Sequence, residues 1–244
     1  MMTSPIDDNP APGDDPGAPV GRRIVIGMVG LGVLGVAFGQ PIASVLSRVA
    51  QADPTGITNA LPATGGFRYY SVVSQDPVVS VADYRLEVSG LVTTPRTFTF
   101  ADLNAMAQTN ITKDFQCVTG WRVPNVSWSG VLLVDLLDAV GLLPEARAVT
   151  FTSFDGAYTE SLTLDQARRN DTLIATSLQG EQVSNDHGGP VRLYVAAMYA
   201  YKSLKWLSGI TVTPEVEPGY WEQRCYYTVA WVGGSNGRND APTA

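Results

Sequence analysis

At 244 residues, 45% hydrophobic and 16% charged, the chain is long enough to bury a sizeable core, and its formal charge of -7 argues against a nucleic-acid partner. Two cysteines, Cys117 and Cys225, and one histidine, His187, are too few for a zinc finger, a bis-histidine haem, a four-cysteine iron-sulfur cluster or a three-histidine zinc site. Any metal must be held largely by something the protein binds.

Residues 1–21, with Asp7, Asp8, Asp14 and Asp15 among prolines and glycines, read as a disordered acidic tail. Arg22 and Arg23 then open a segment, 22–48, whose residues 24–47 carry no charge. At about 1.5 Å of helical rise per residue it is long enough for a hydrocarbon core of about 30 Å, so one N-terminal hydrophobic helix is expected as a membrane anchor. Both arginines precede it, which keeps the tail cytoplasmic and places the body outside, in the periplasm or at the cell exterior. A cleaved signal ending near Ala50-Gln51-Ala52 is the alternative, and Arg22-Arg23 is also the pair that a twin-arginine export signal carries.

Residues 49–66 are a polar linker, 67–233 one domain and 234–244 a tail. Strands are expected at 69–73, 84–88, 148–154, 158–162, 191–196 and 210–213, with Asp155-Gly156 as a hairpin turn. Helices are expected at 100–108 behind a Thr99 cap, at 130–140 behind Ser129, and at 164–169 behind Thr163. Strands with scattered short helices, and no regular alternation, indicate an α+β domain with a mixed sheet.

Cys117 ends an alternating strand pattern just before a loop, where a thiolate can serve as nucleophile, metal ligand or half of a Cys117–Cys225 disulfide. His187 leads a Gly188-Gly189-Pro190 turn into a strand that starts with Val191 and Arg192, which suits a loop binding a polar, anionic ligand. Two of the three lysines, Lys202 and Lys205, fall together with Ser203 among aromatics and suggest an anion cradle. A Cys117–His187 hydrolase is arithmetically possible, but nothing flanking Cys117 carries a cysteine-protease signature.

The blocks Phe115-Gln116-Cys117-Val118-Thr119-Gly120-Trp121, Trp128-Ser129-Gly130-Val131, Phe154-Asp155-Gly156, His187-Gly188-Gly189-Pro190-Val191-Arg192 and Lys202-Ser203-Leu204-Lys205-Trp206 together resemble the molybdopterin-binding domain of the sulfite oxidase family. The closer resemblance is to its bacterial branch, which includes the periplasmic methionine sulfoxide reductase catalytic subunit. The resemblance implies a molybdenum–molybdopterin cofactor with Cys117 as catalytic residue and metal ligand, and cofactor contacts from Tyr69, Tyr70, Ser153, His187, Arg192, Ser203, Leu204 and Lys205. It further implies two-electron oxygen-atom transfer on a small-molecule or protein-bound oxide, with electrons from a separate carrier such as a membrane cytochrome. Sulfite oxidases resemble Cys-x-Gly-Asn-Arg at the ligand; here Trp121 takes the arginine's place and Arg122 follows, a mouth better suited to a neutral oxide than to a small dianion.

Overall fold

The computed structural model describes residues 67, 70–120 and 122–234. The expected N-terminal helix at 22–48, the tail at 1–21, the linker at 49–66, Tyr69, Trp121 and all of the C-terminal tail after Gly234 lie outside the described residues. Among those described, no helix is long and apolar enough to cross a membrane.

Among the described residues, ten strands make two five-stranded sheets. The first runs in the order β2 (Arg96–Thr99), β1 (Arg85–Gly90), β10 (Leu207–Thr213), β5 (Ala148–Ser153), β6 (Thr159–Thr163). Only β1 and β10 pair in parallel, so this sheet is mixed, as the sequence predicts. In the second sheet β3 (Thr109–Gln116), β4 (Arg122–Leu132), β7 (Thr172–Leu178) and β8 (Glu181–Gln182) pair antiparallel, and β9 (Arg192–Val195) joins β7. Alternation drives the pairing: Leu86 and Val88 of β1, Val149 and Phe151 of β5, and Val126 and Trp128 of β4 are buried, while the residues flanking them, Ala148 apart, are exposed or partly buried.

Among the described residues, three short α-helices cover this frame. α1 (Phe100–Ala105) starts with a reciprocal Thr99–Asp102 capping box, and α3 (Leu164–Ala167) with the equivalent Thr163–Gln166 pair. α2 (Leu133–Val140) buries Leu133, Leu136, Leu137 and Val140, a helical stripe against the main core. A second cluster built on Phe115, Trp128 and Tyr194 lies under the second sheet.

Several sequence-based boundaries move. The expected helix at 130–140 begins only at Leu133, because β4 continues through Ser129, which pairs with Asn110 and Ser177 instead of capping. Gly130 explains the continuation: a Cβ there would lie 2.1 Å from Ile174 O, so the close β4–β7 approach needs glycine. α1 stops at Ala105, where Met106 turns extended, and residues 70–73 form no strand. The Asp155-Gly156 hairpin is present, with Gly156 N donating to Ser153 O at 2.9 Å.

Candidate active site

Cys117 follows β3 directly and opens the turn into β4, where Gly120 N donates to Cys117 O at 3.1 Å. Its Sγ lies 3.2 Å from Thr119 Oγ1, a hydroxyl the sequence does not single out. Both thiols are free, with Cys225 exposed at the end of a 3-10 turn, so the disulfide alternative is not formed. Beside Cys117, Gln116 is 3% exposed, and neither amide atom has a hydrogen-bond partner among the described residues. Trp128 Nε1 and Tyr194 OH are likewise buried and unpartnered.

An aromatic platform links the end of β3 to the His187 loop. Trp128 stacks on Tyr194 with centroids 4.9 Å apart, and Phe115 leans on both. Phe67 packs 5.1 Å from Phe115 and 5.0 Å, edge-on, from His187. Above Trp128, at 5.1 Å, sits the guanidinium of Arg192, which also covers Phe115 at 5.7 Å.

Arg192 starts β9 and is buried. Its Nη1 donates to His187 O at 2.5 Å, Nη2 to Ser203 O at 2.6 Å and Nε to Leu193 O at 3.3 Å. Burial lowers its pKa to about 10, which leaves it charged at neutral pH. Around it the main chain is tied further: Val195 N donates to Ser203 Oγ at 3.0 Å, and Leu193 N to Leu204 O at 2.9 Å. The two glycines are sterically required. Gly188 has φ +94° and would put a Cβ 2.5 Å from Lys205 Cβ, and a Cβ on Gly189 would meet Val183 O at 1.9 Å.

His187 Nδ1 is bonded to Ser184 Oγ at 2.8 Å. Burial, then the Arg192 charge, pushes the imidazole down to about 4, so it is neutral at pH 7. Lys205 Nζ donates to Asp186 O at 3.1 Å and lies 4.3 Å over the Trp206 ring. Burial, then Arg192, lowers this ammonium to about 7, opposed by Asp76 and Asp186. Burial raises the Asp76 carboxyl, Lys205 pulls it down, and Asp186 and Asp155 add to the rise; these acids therefore share one neighbourhood with Lys205. Ser153 ends β5 beside them, its Oγ donating to Asp155 Oδ1 at 2.6 Å, while Phe154 N donates to Trp206 O at 2.9 Å.

His187, Arg192, Ser203, Leu204 and Lys205 are thus brought together, with Ser153 at their edge and Cys117 joined to them through the aromatic platform. Tyr70 is 55% exposed, and Tyr69 lies outside the described residues. Lys202 does not join the cradle: its Nζ turns inward to Glu160, Ser161 O and Glu222. Thr119, Gln116 and Phe67 are additions the motifs do not mark. Only the adjacency of Gln116 to Cys117 offered a signal.

No cluster of three or more histidine, cysteine or acidic side chains able to hold a metal exists among the described residues. A metal here needs donors from its own ligand, with one soft donor from the protein, and the free Cys117 thiol has the chemistry to serve as one. Orphaned buried polar atoms beside it and glycines that admit close backbone approach, with basic side chains clustered nearby, fit molybdopterin, whose polar ring edges and phosphate require such partners.

Residues 73–221 match the family described as the oxidoreductase molybdopterin binding domain. An uncharacterized oxidoreductase of Bacillus subtilis, YuiH, is 33% identical over 190 residues, covering 74% of this chain and 91% of that protein. The putative protein-methionine-sulfoxide reductase subunit YedZ1 of Azospira oryzae is 32% identical over 188 residues, covering 75% and 70%. Among solved structures, the sulfane dehydrogenase SoxCD of Paracoccus pantotrophus superposes with a TM-score of 0.54 at 25% identity, over 59% of this chain and 41% of that one. With its free cysteine, its cradle and the matched domain in agreement, the chain belongs to the sulfite oxidase family of molybdopterin-binding oxidoreductases and uses the molybdenum–molybdopterin cofactor.

Proposed function

We propose that this oxidoreductase works outside the cytoplasm, anchored by residues 22–48, and reduces a sulfoxide or similar neutral oxide. In balance, one sulfoxide takes up two electrons and two protons, its sulfur–oxygen bond breaks, and a thioether and one water result. The electrons come from a separate carrier such as a membrane cytochrome, since the lone histidine is engaged in the cradle.

The observation that carries the substrate choice is the placement of Arg122. This residue stands nearest in sequence to the position at which sulfite oxidases resemble an anion-binding arginine, yet its Nε lies 3.5 Å from Asp114 Oδ2. A guanidinium already facing a carboxylate is a poor receptor for a doubly charged anion and is compatible with an uncharged substrate. The sulfoxide reductase subunit of Azospira oryzae supports the same direction.

Cys117 would hold the metal, with Thr119 Oγ1 positioned to hydrogen-bond the sulfur. Lys205, Ser203 Oγ, Ser153 and the His187 ring would hold the pterin and its phosphate. Arg192 acts through the carbonyls it fixes, and Phe67 and Phe115 exclude water from the loop junction. The bound metal supplies the two-electron redox change, and the protein supplies orientation and electrostatics.

Elemental analysis and turnover test this reading together. Purified protein should contain one molybdenum per chain, and a reducing dye should drive turnover of sulfoxides in a panel that also includes N-oxides and sulfite. Sulfite oxidation without oxide reduction would reverse the assignment of substrate. A metal-loaded protein that turns over none of them would make it a binding module.

A further inference from the structure

Lys202, Glu160 and Glu222 form a closed charge cluster that the proposed chemistry does not use. Lys202 Nζ donates to Glu160, to Ser161 O at 2.8 Å and to Glu222 Oε1 at 2.7 Å, and the three side chains are 0%, 0% and 2% exposed. An ammonium carries three protons, and these contacts take all of them. Each carboxyl keeps one oxygen, Oε2, buried and without a partner among the described residues. One cation against two dry carboxylates would leave a net negative charge where solvent cannot compensate it. Gly219 closes one side with backbone: a Cβ there would fall 2.9 Å from both Glu160 Cα and Glu222 Oε2.

We propose that Glu160 and Glu222 share one proton, which renders the cluster neutral and supplies the donor that the two orphaned oxygens lack, and that this cluster positions the turn carrying residues 203–205. Burial drives the Glu160 carboxyl up to about 8 despite the pull of Lys202, with Glu222 adding to the rise. Tyr158, whose OH donates to Tyr201 O at 2.6 Å, and Tyr201, whose OH donates to Tyr227 O at 2.7 Å, are held above the usual phenol range by burial and by both glutamates, so they stay neutral. Tyr220 stacks on Tyr158, Tyr226 meets Tyr201, and Tyr199 lies near by. Arg192 acts on Tyr158 from β9, and Arg224 lies 3.7 Å over the Tyr220 ring.

The positioning follows from connectivity. Lys202 ends the 3-10 turn Ala200–Lys202, and the next residue, Ser203, receives both Arg192 and Val195 N. Glu222 begins the 3-10 turn Glu222–Arg224, so the same proton fastens the C-terminal segment. The positioning role rests on the cradle reading above; the shared proton does not.

Infrared titration and amide hydrogen exchange of the purified full-length protein test both halves. A protonated carboxylic-acid band should be present at pH 7, vanish with a midpoint near pH 8, and be missing from Glu160→Gln and Glu222→Gln. A raised folded-state pKa means the folded form holds a proton that the unfolded form has released. After correction for intrinsic rates, exchange over residues 199–205 and 219–224 should therefore quicken by up to about tenfold per pH unit from roughly pH 5 to 8, then level off. No acid band at pH 7, or a band that both glutamine variants retain, overturns the shared proton. A conforming band with pH-independent exchange over 199–205 overturns the positioning role. Should a variant not fold, the wild-type band and its midpoint decide alone. Neither readout involves molybdenum, so failure here and failure of the cofactor assignment are separable.

Discussion

Arg192 Nη1 holds the main-chain oxygen of His187 at 2.5 Å while Nη2 of the same guanidinium holds that of Ser203 at 2.6 Å. One buried cation thereby sets the distance between the histidine loop and the Ser203–Lys205 turn. Replacing Arg192 with alanine strands buried carbonyls at about 1–3 kcal/mol each, so a loss of about 3 kcal/mol or more is expected. For a domain of this size that is a fall of about 6–12 °C in thermal midpoint. Arg192→Lys should recover little of it, because a point charge cannot reproduce the fork. Calorimetry of the apo-protein measures the fall, and pterin release on denaturation measures the accompanying loss of cofactor.

The loop glycines should separate by position. Gly189→Ala forces a methyl carbon against Val183 O at 1.9 Å, backbone against backbone, with no flexible side chain to yield. Gly188→Ala meets the root of Lys205 instead, Cβ at 2.5 Å and the backbone Cα at 2.8 Å, and adds strain at φ +94°. We expect both variants to be destabilised, Gly189→Ala the more strongly, with Gly188→Ala losing pterin as well because its clash displaces Lys205. Equal, near-native melting curves and pterin contents for both would contradict this account of the loop.

How much of this was legible beforehand depends on the kind of signal. The mixed sheet, the Asp155-Gly156 hairpin and the two Thr-led caps follow local rules and appear where the sequence places them. Ser129 did not cap a helix because the depth of β4 against β7 is set by tertiary packing at Gly130, which no local propensity reports. Grouping Lys202 with Lys205 failed for a related reason. Lys202 ends a 3-10 turn and Lys205 lies three residues beyond it, so the two point to different sides, and Lys202 meets two carboxylates distant in sequence. The Thr119 hydroxyl beside Cys117 needed the turn geometry to be seen.

Cys117→Ser should remove molybdenum and turnover while sparing the fold, since the thiol is only partly buried and its neighbour Thr119 is exposed. Pterin content should drop less than in Arg192→Ala, because the cradle persists. Thr119→Val keeps the shape of the turn but deletes the 3.2 Å hydroxyl contact. A shifted reduction potential with unchanged metal content is the expected outcome for that variant, as hydrogen bonds to a ligating sulfur tune the metal. Redox titration and elemental analysis decide both.

Lys205 is expected to set the pH dependence of cofactor capture. Its folded pKa, lowered to about 7, lies below the value of about 10.4 for an unfolded lysine, so between those limits the unfolded chain binds the extra proton. This group therefore costs the apo-protein stability that is regained as pH rises from 7 toward 10. Anion binding runs the other way, because it requires the charged ammonium. Affinity for a phosphate-bearing pterin should rise through the second ionisation of the phosphate at about pH 6, be highest near pH 7, His187 being neutral throughout, and then fall by up to tenfold per pH unit. Lys205→Met should bind more weakly and without that alkaline fall. Calorimetric titration at several pH values reads both, and a parallel fall in the variant would locate the titrating group elsewhere.

Gln116 sets stability against function most sharply. A buried amide with neither atom partnered costs the apo-protein about 1–3 kcal/mol of desolvation, and an apolar side chain of similar size removes that cost. Gln116→Leu should therefore raise the apo thermal midpoint by about 2–4 °C for each kcal/mol recovered. The same change deletes a donor and an acceptor beside Cys117, the proposed metal ligand, so cofactor should dissociate faster from the variant than from the native chain. Differential scanning calorimetry of the apo forms and a timed pterin-release assay make the comparison. If Gln116→Leu instead lowered the apo midpoint, the amide would be a structural member of the β3–β4 hairpin, because only a group already satisfied in the free protein is costly to remove.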